Sequence, residues 1–118
     1  MDTIKISKEY LQWAFEYQQC ILTGDYKKGN KYADKLVKYN QLFVKEHDKA
    51  VFTMIDTFVN SDNPGAVMWI TPVCIKLQYR LPEVKEKVRS YIDIKELGLN
   101  RTNARILREQ LNEIGDNM

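Results

Sequence analysis

The residues able to do chemistry are few, and their spacing argues against most of it. His47 is the only histidine and sits in Glu46-His47-Asp48. On a helix adjacent side chains diverge by about 100°, so these three cannot converge on one ion or one proton. At a helix end His47 is expected to meet the terminal carbonyls instead. Cys20 and Cys74 are the only cysteines, each among apolar neighbours and with no C-x-x-C spacing. They read as reduced core residues of a cytoplasmic protein, because free cysteine packs as a small hydrophobe. Asp34, Asp56, Glu83, Glu86 and Glu96 show no paired acid–base spacing. With no nucleophile–base pair, Gly-rich phosphate loop or metal-ligand spacing, the expectation is a protein that is not an enzyme and holds no metal or cofactor.

The charged and aromatic residues carry more signal. Arg101, Arg105 and Arg108 follow i, i+4, i+7 and share a helix face. Arginine forks pair bidentately with carboxylate or phosphate, so this face is a candidate partner-binding stripe. Its alternative is a solvated face supported by an Arg105–Glu109 pair. Lys31, Lys35 and Lys38 repeat the pattern in a weaker form, with Asp34 placed to pair with Lys38. Trp69 falls off the main apolar stripe of its segment, which makes it either inter-helix packing or an interface anchor. The chain holds 18 Lys+Arg against 16 Asp+Glu, a net charge of +2. That balance does not by itself demand nucleic acid.

These residues must be positioned by helices. The chain of 118 residues is 44% hydrophobic and 29% charged, with five glycines and three prolines. This suits one helical domain over 1–118 with an ordered core of about 7–114, and contains no apolar run of membrane-spanning length. Six segments are expected. The first runs from Ser7, its N-cap, to Thr23, with Leu11, Ala14, Phe15, Gln18, Ile21 and Leu22 inward. The second follows Gly24-Asp25 from Tyr26 to Glu46, with Gly29, Ala33, Leu36, Val37, Asn40, Phe43 and Val44 on one stripe. There Gly29 implies a close helix contact, and Asn40, if buried, needs hydrogen-bond partners. The third covers Lys49 to Val59 behind Asp48.

The fourth segment has the strongest start signal. Asn63 at N-cap precedes Pro64 at N1, where proline wastes no amide. It continues to about Gln78 across Pro72, where a kink or break is expected. Val, Ile and Thr make a strand the competing reading, and the start signal and length favour helix. The fifth runs from Leu81 to about Leu97 with Gly98 as a C′ residue. The sixth spans about Thr102 to Ile114, with Ala104, Leu107, Leu111 and Ile114 inward. Short connections make neighbours antiparallel.

Two stretches also carry a resemblance: Asn63-Pro64-Gly65-Ala66-Val67-Met68-Trp69 and Leu97-Gly98-Leu99-Asn100-Arg101-Thr102-Asn103-Ala104-Arg105-Ile106-Leu107-Arg108. Together they resemble an uncharacterised family of small bacterial proteins with a HEAT-like helical fold, a domain of unknown function. The likeness covers about residues 26 to 112. Met68 stands where the family often has arginine, and Gln110 where it often has tryptophan. The resemblance implies an all-α bundle of about six antiparallel helices, a HEAT-like α-α superhelix with no catalytic residues. Some relatives are thought to be immunity proteins beside secreted toxins, so it implies a protein partner, a toxin in the sharpest version. Stacked helical pairs present an extended binding surface. The alternative is a nucleic-acid-binding helical protein that uses a basic face.

Overall fold

The computed structural model describes residues 1–92 and 101–115, without the side chains of 92 and 101–104. It is an all-α bundle: α1 (Thr3–Thr23), α2 (Tyr26–Lys45), α3 (Lys49–Val59), α4 (Pro64–Leu77), α5 (Leu81–Ile92) and α6 (Arg101–Ile114). There is no strand among the described residues.

Short polar side chains set the helix starts by accepting orphan amides. Asp25 Oδ1 accepts from Lys28 N, Asp48 Oδ1 from Val51 N, and Asn63 Oδ1 from Ala66 N. Gly24 ends α1 at φ 79°, a conformation glycine adopts without strain. The expected start at Ser7 is corrected. Asp2 caps α1 through Lys5 N at 3.1 Å, one turn earlier. That extra turn brings Ile6 to the core above Tyr10, one helical turn on.

The inward stripe of α1 is also corrected. Ile6, Tyr10, Ala14 and Cys20 are buried, with Trp13 and Tyr17 packed beside them, whereas Phe15 and Leu22 are exposed. The helix carries two apolar stripes on opposite sides, and the aromatic one faces the core. Tyr10 stacks on Phe58 at 4.3 Å and meets Phe43 at 5.7 Å. Val37 of α2, expected inward, is exposed as well. Leu36 and Phe43 of α2 and Leu107, Leu111 and Ile114 of α6 are buried as expected, Ala33 and Val44 are partly buried, and Val51, Met54, Ile55, Phe58, Val84 and Val88 complete the core from α3 and α5.

Helices α1 and α2 run antiparallel. Cys20 faces Gly29 near their junction, and Tyr10 bonds Asn40 two to three turns away. A Cβ on Gly29 would lie 3.2 Å from Cys20 Cβ, the close contact that this glycine implied.

Helix α4 is the hub and packs against each of the other five helices. Gly65, Ala66, Val67, Ile70, Thr71, Val73 and Cys74 are all buried, as expected of a helix apolar almost all round. Gly65 lets it touch α1: an added Cβ would lie 2.6 Å from the Ala14 carbonyl oxygen. Asn63 fastens the same crossing by donating from Nδ2 to Leu11 O at 2.9 Å. The helix runs through Pro72 without a break. The Gly98 C′ signal, the Ala104 side chain and the end of the fifth segment lie outside the described residues.

Candidate functional site

The site is built on the proline inside α4. Pro72 has no N–H to give the carbonyl one turn back, Met68 O. Gln110 of α6 meets that carbonyl with Nε2 at 3.3 Å. The adjacent carbonyl, Trp69 O, accepts from Asn40 Nδ2 of α2 at 2.8 Å. Asn40 Oδ1 in turn accepts from Tyr10 OH of α1 at 2.8 Å. Burial pushes the Tyr10 hydroxyl well above its ordinary pKa, so it stays a donor. The expectation that Asn40 needs partners is met, and three helices are tied to the middle of a fourth.

This network leaves one acceptor unused. A backbone carbonyl only accepts, so Gln110 must present its NH₂ to Met68 O, and Oε1 points the other way. That oxygen is buried and has no hydrogen-bond partner among the described residues. Burying such a group unpaired costs about 1–3 kcal/mol, a cost that a turn of the Gln110 amide toward the groove and a donor there would relieve.

The groove beside Gln110 is lined by Tyr17, Met68, Trp69, Pro72 and Ile106, with a volume of about 190 Å³. A second groove of about 540 Å³ runs between α2 and α4, lined by Val37, Asn40, Val44, Trp69, Pro72 and Val73 among others. Trp69 and Pro72 belong to both, so the two meet at the indole. Tyr17 holds that indole edge-on at 5.1 Å. Lys45 and Lys76 border the larger groove, each in the last turn of its helix. Both are exposed, and neither is ion-paired among the described residues.

The arginine stripe lies elsewhere. At about 100° per residue, Arg105 and Arg108 project from the flank of α6 away from Ile106 and Gln110. Both are exposed, and Arg105 Nε pairs with Glu109 at 3.8 Å. The Arg101 side chain lies outside the described residues. Of the candidate site residues, Trp69 is therefore in the groove and the described arginines are not.

The lysine stripe leads to a third hollow, about 430 Å³, lined by Asp25, Lys27, Lys28, Lys31, Tyr32 and Lys35. Lys35 Nζ sits 4.8 Å from the Trp13 ring centroid and 5.9 Å from that of Tyr32. Lys38 does not line it.

The remaining reactive groups are committed to structure. Cys20 and Cys74 are free and buried. Burial, then the nearby Asp56 charge, pushes the Cys74 thiol up to about 12, so it is no thiolate at neutral pH. The exposed His47 ring donates from Nδ1 to Val44 O at 2.7 Å, the helix-end contact its position implied. No group of metal-ligating side chains converges among the described residues. No helix among them is long and apolar enough to cross a membrane.

Sequence reasoning reached Trp69 as an off-stripe aromatic and missed Gln110. The signal available was Pro72, which announces an orphan carbonyl but not the residue that answers it. No family model, no curated protein and no solved structure matches the chain.

Proposed function

We propose that this protein is a non-enzymatic interaction module that receives an apolar segment of a partner protein in the groove centred on Trp69. The observation that carries the reading is the unpartnered Gln110 Oε1, buried at the edge of an apolar groove whose indole is only partly covered. Tryptophan in a preformed apolar pocket is the type of residue on which binding energy concentrates. The segment it takes is apolar on one side, gives one N–H or O–H to Gln110 Oε1, and carries acidic residues opposite Lys45 and Lys76.

The packing of consecutive helices, α1 on α2 and α5 on α6, is what the HEAT-like resemblance implies, while α4 packs on all five other helices. Neutralisation of a toxin is the sharpest form of this reading, and the groove is then where the toxin's segment docks. The two free buried thiols support a reducing, cytoplasmic setting.

The test is co-purification from a native lysate, with and without nuclease, using the wild type and Trp69→Ala. Retention of one protein despite nuclease, and its loss with Trp69→Ala at unchanged helicity, supports the reading. Retention that Trp69→Ala does not reduce contradicts it.

The lysine hollow favours a second reading, nucleic acid held by Lys27, Lys28, Lys31 and Lys35 with Tyr32 and Trp13 beside them. Binding of that kind falls steeply with salt as counterions are released. Absence of any DNA or RNA shift at low salt removes it.

A further inference from the structure

The outer face of α1 is apolar and open at Ile4, Phe15 and Leu22. Ile4 is 70% exposed, Phe15 51% and Leu22 47%, with partly buried Leu11 on the same line. Three of the seven large exposed apolar side chains among the described residues thus share one helix face. Apolar patches beyond a few hundred Å² mark interaction surfaces.

The spacing of this face says what covers it. Ile4, Leu11, Phe15 and Leu22 are separated by seven, four and seven residues, which reads the same in both directions. Laid antiparallel on itself, the face brings Ile4 against Leu22 of a second copy and Leu11 against its Phe15. That is the self-complementarity a two-fold interface requires. Steps of seven and four also keep the contacts on one seam between two packed helices.

Charge permits this pairing. Within α1, Lys5 and Lys8 balance Glu9 and Glu16, so two copies meet without net repulsion. The antiparallel register sets Glu16 of the second copy within about two residues of level with Lys8 and about one of level with Glu9, and Glu9 is turned to Tyr39 of α2, off this face. A parallel register would set each charge against its like. Beside Ile4, a hollow of about 700 Å³ between α1 and α3, lined by Ser7, Lys8, Ala50 and Thr53, leaves room for the Leu22 end of the second copy.

We infer that α1 is a homodimer interface, two copies pairing this face antiparallel about a two-fold axis. The face lies on the side of α1 away from Tyr17, so pairing leaves the Trp69 groove open. The inference does not rest on the groove's function.

Light scattering behind size exclusion, from about 1 to about 100 μM, tests it. The expected result is a shift to twice the 13.9 kDa chain mass with rising concentration. Phe15→Glu then stays at the chain mass throughout while keeping the wild-type helicity and melting curve, since Phe15 is half exposed. A wild type that stays monomeric, or a dimer that survives Phe15→Glu, overturns the inference. Cysteine variants test the register, with the native thiols buried and silent. Ile4→Cys mixed with Leu22→Cys is expected to cross-link on mild oxidation. Cross-linking of Ile4→Cys alone would overturn the antiparallel arrangement.

Discussion

The two flanks of α6 differ in what holds their side chains in place. On one flank Ile106 and Gln110 face a groove whose walls are fixed by partly buried hydrogen bonds, Tyr10 to Asn40 to Trp69 O and Gln110 to Met68 O. On the other flank Arg105 and Arg108 stand in solvent, and the one ion pair there joins residues 72% and 64% exposed. A preorganised surface loses little entropy when something binds, whereas exposed arginines must be ordered first. The charge stripe is the easier feature to see in a sequence, and it is the less constructed of the two surfaces.

Breaking the network should show that difference at its largest. Asn40→Leu removes both bonds and leaves the fully buried Tyr10 hydroxyl without an acceptor. A loss of about 3 kcal/mol is expected in chemical denaturation. Adding Tyr10→Phe should restore part of that loss, because the orphan donor goes with it. Simple additivity of the two costs would mean that the chain of bonds does not act as a unit.

Gly65→Ala comes next. The new Cβ meets the Ala14 carbonyl, a backbone atom that cannot step aside. Overpacking should outweigh the roughly 1 kcal/mol that alanine returns to a helix, for a net loss of about 1–2 kcal/mol by denaturant titration. A stabilised variant would show that the α1–α4 crossing is looser than described.

A third prediction concerns acid. Burial alone would raise the Asp56 pKa, but the hydrogen bonds from Arg80 at 2.9 Å and Tyr79 at 2.8 Å, with the guanidinium charge, hold it below the usual carboxylate value. A depressed folded pKa contributes stability above the unfolded value, and that contribution fades as pH falls through the folded value. Melting curves of the wild type should therefore lose more between neutral and strongly acidic pH than those of Asp56→Asn. Parallel losses would contradict the assignment.

The smallest effect belongs to the arginine flank. Arg105→Ala and Arg108→Ala should each change stability by less than about 0.5 kcal/mol, since exposed pairs contribute little.

What the sequence made legible follows from how local each signal is. Asp25, Asp48 and Asn63 cap within their own first turns, so helix starts were readable. The inward face of α1 was not, because the Leu11–Phe15–Leu22 stripe and the Tyr10–Ala14–Tyr17 stripe share one period. The packing of α2, α3 and α4 on the Tyr10–Ala14 side decides which is core. Trp69 stood out by type. Gln110 did not, since its partner carbonyl is 42 positions away and nothing in the spacing of α6 encodes it.

The central claim is that the partner binds the Trp69 groove and not the arginine flank. Once the retained partner is identified, the direct measurement is its dissociation constant for the wild type, Trp69→Ala and the Arg105→Ala/Arg108→Ala pair. The account predicts at least a roughly tenfold weakening for Trp69→Ala, about 1.4 kcal/mol, and little change for the arginine pair. Wild-type affinity in Trp69→Ala, with a large loss in the arginine pair, would contradict it.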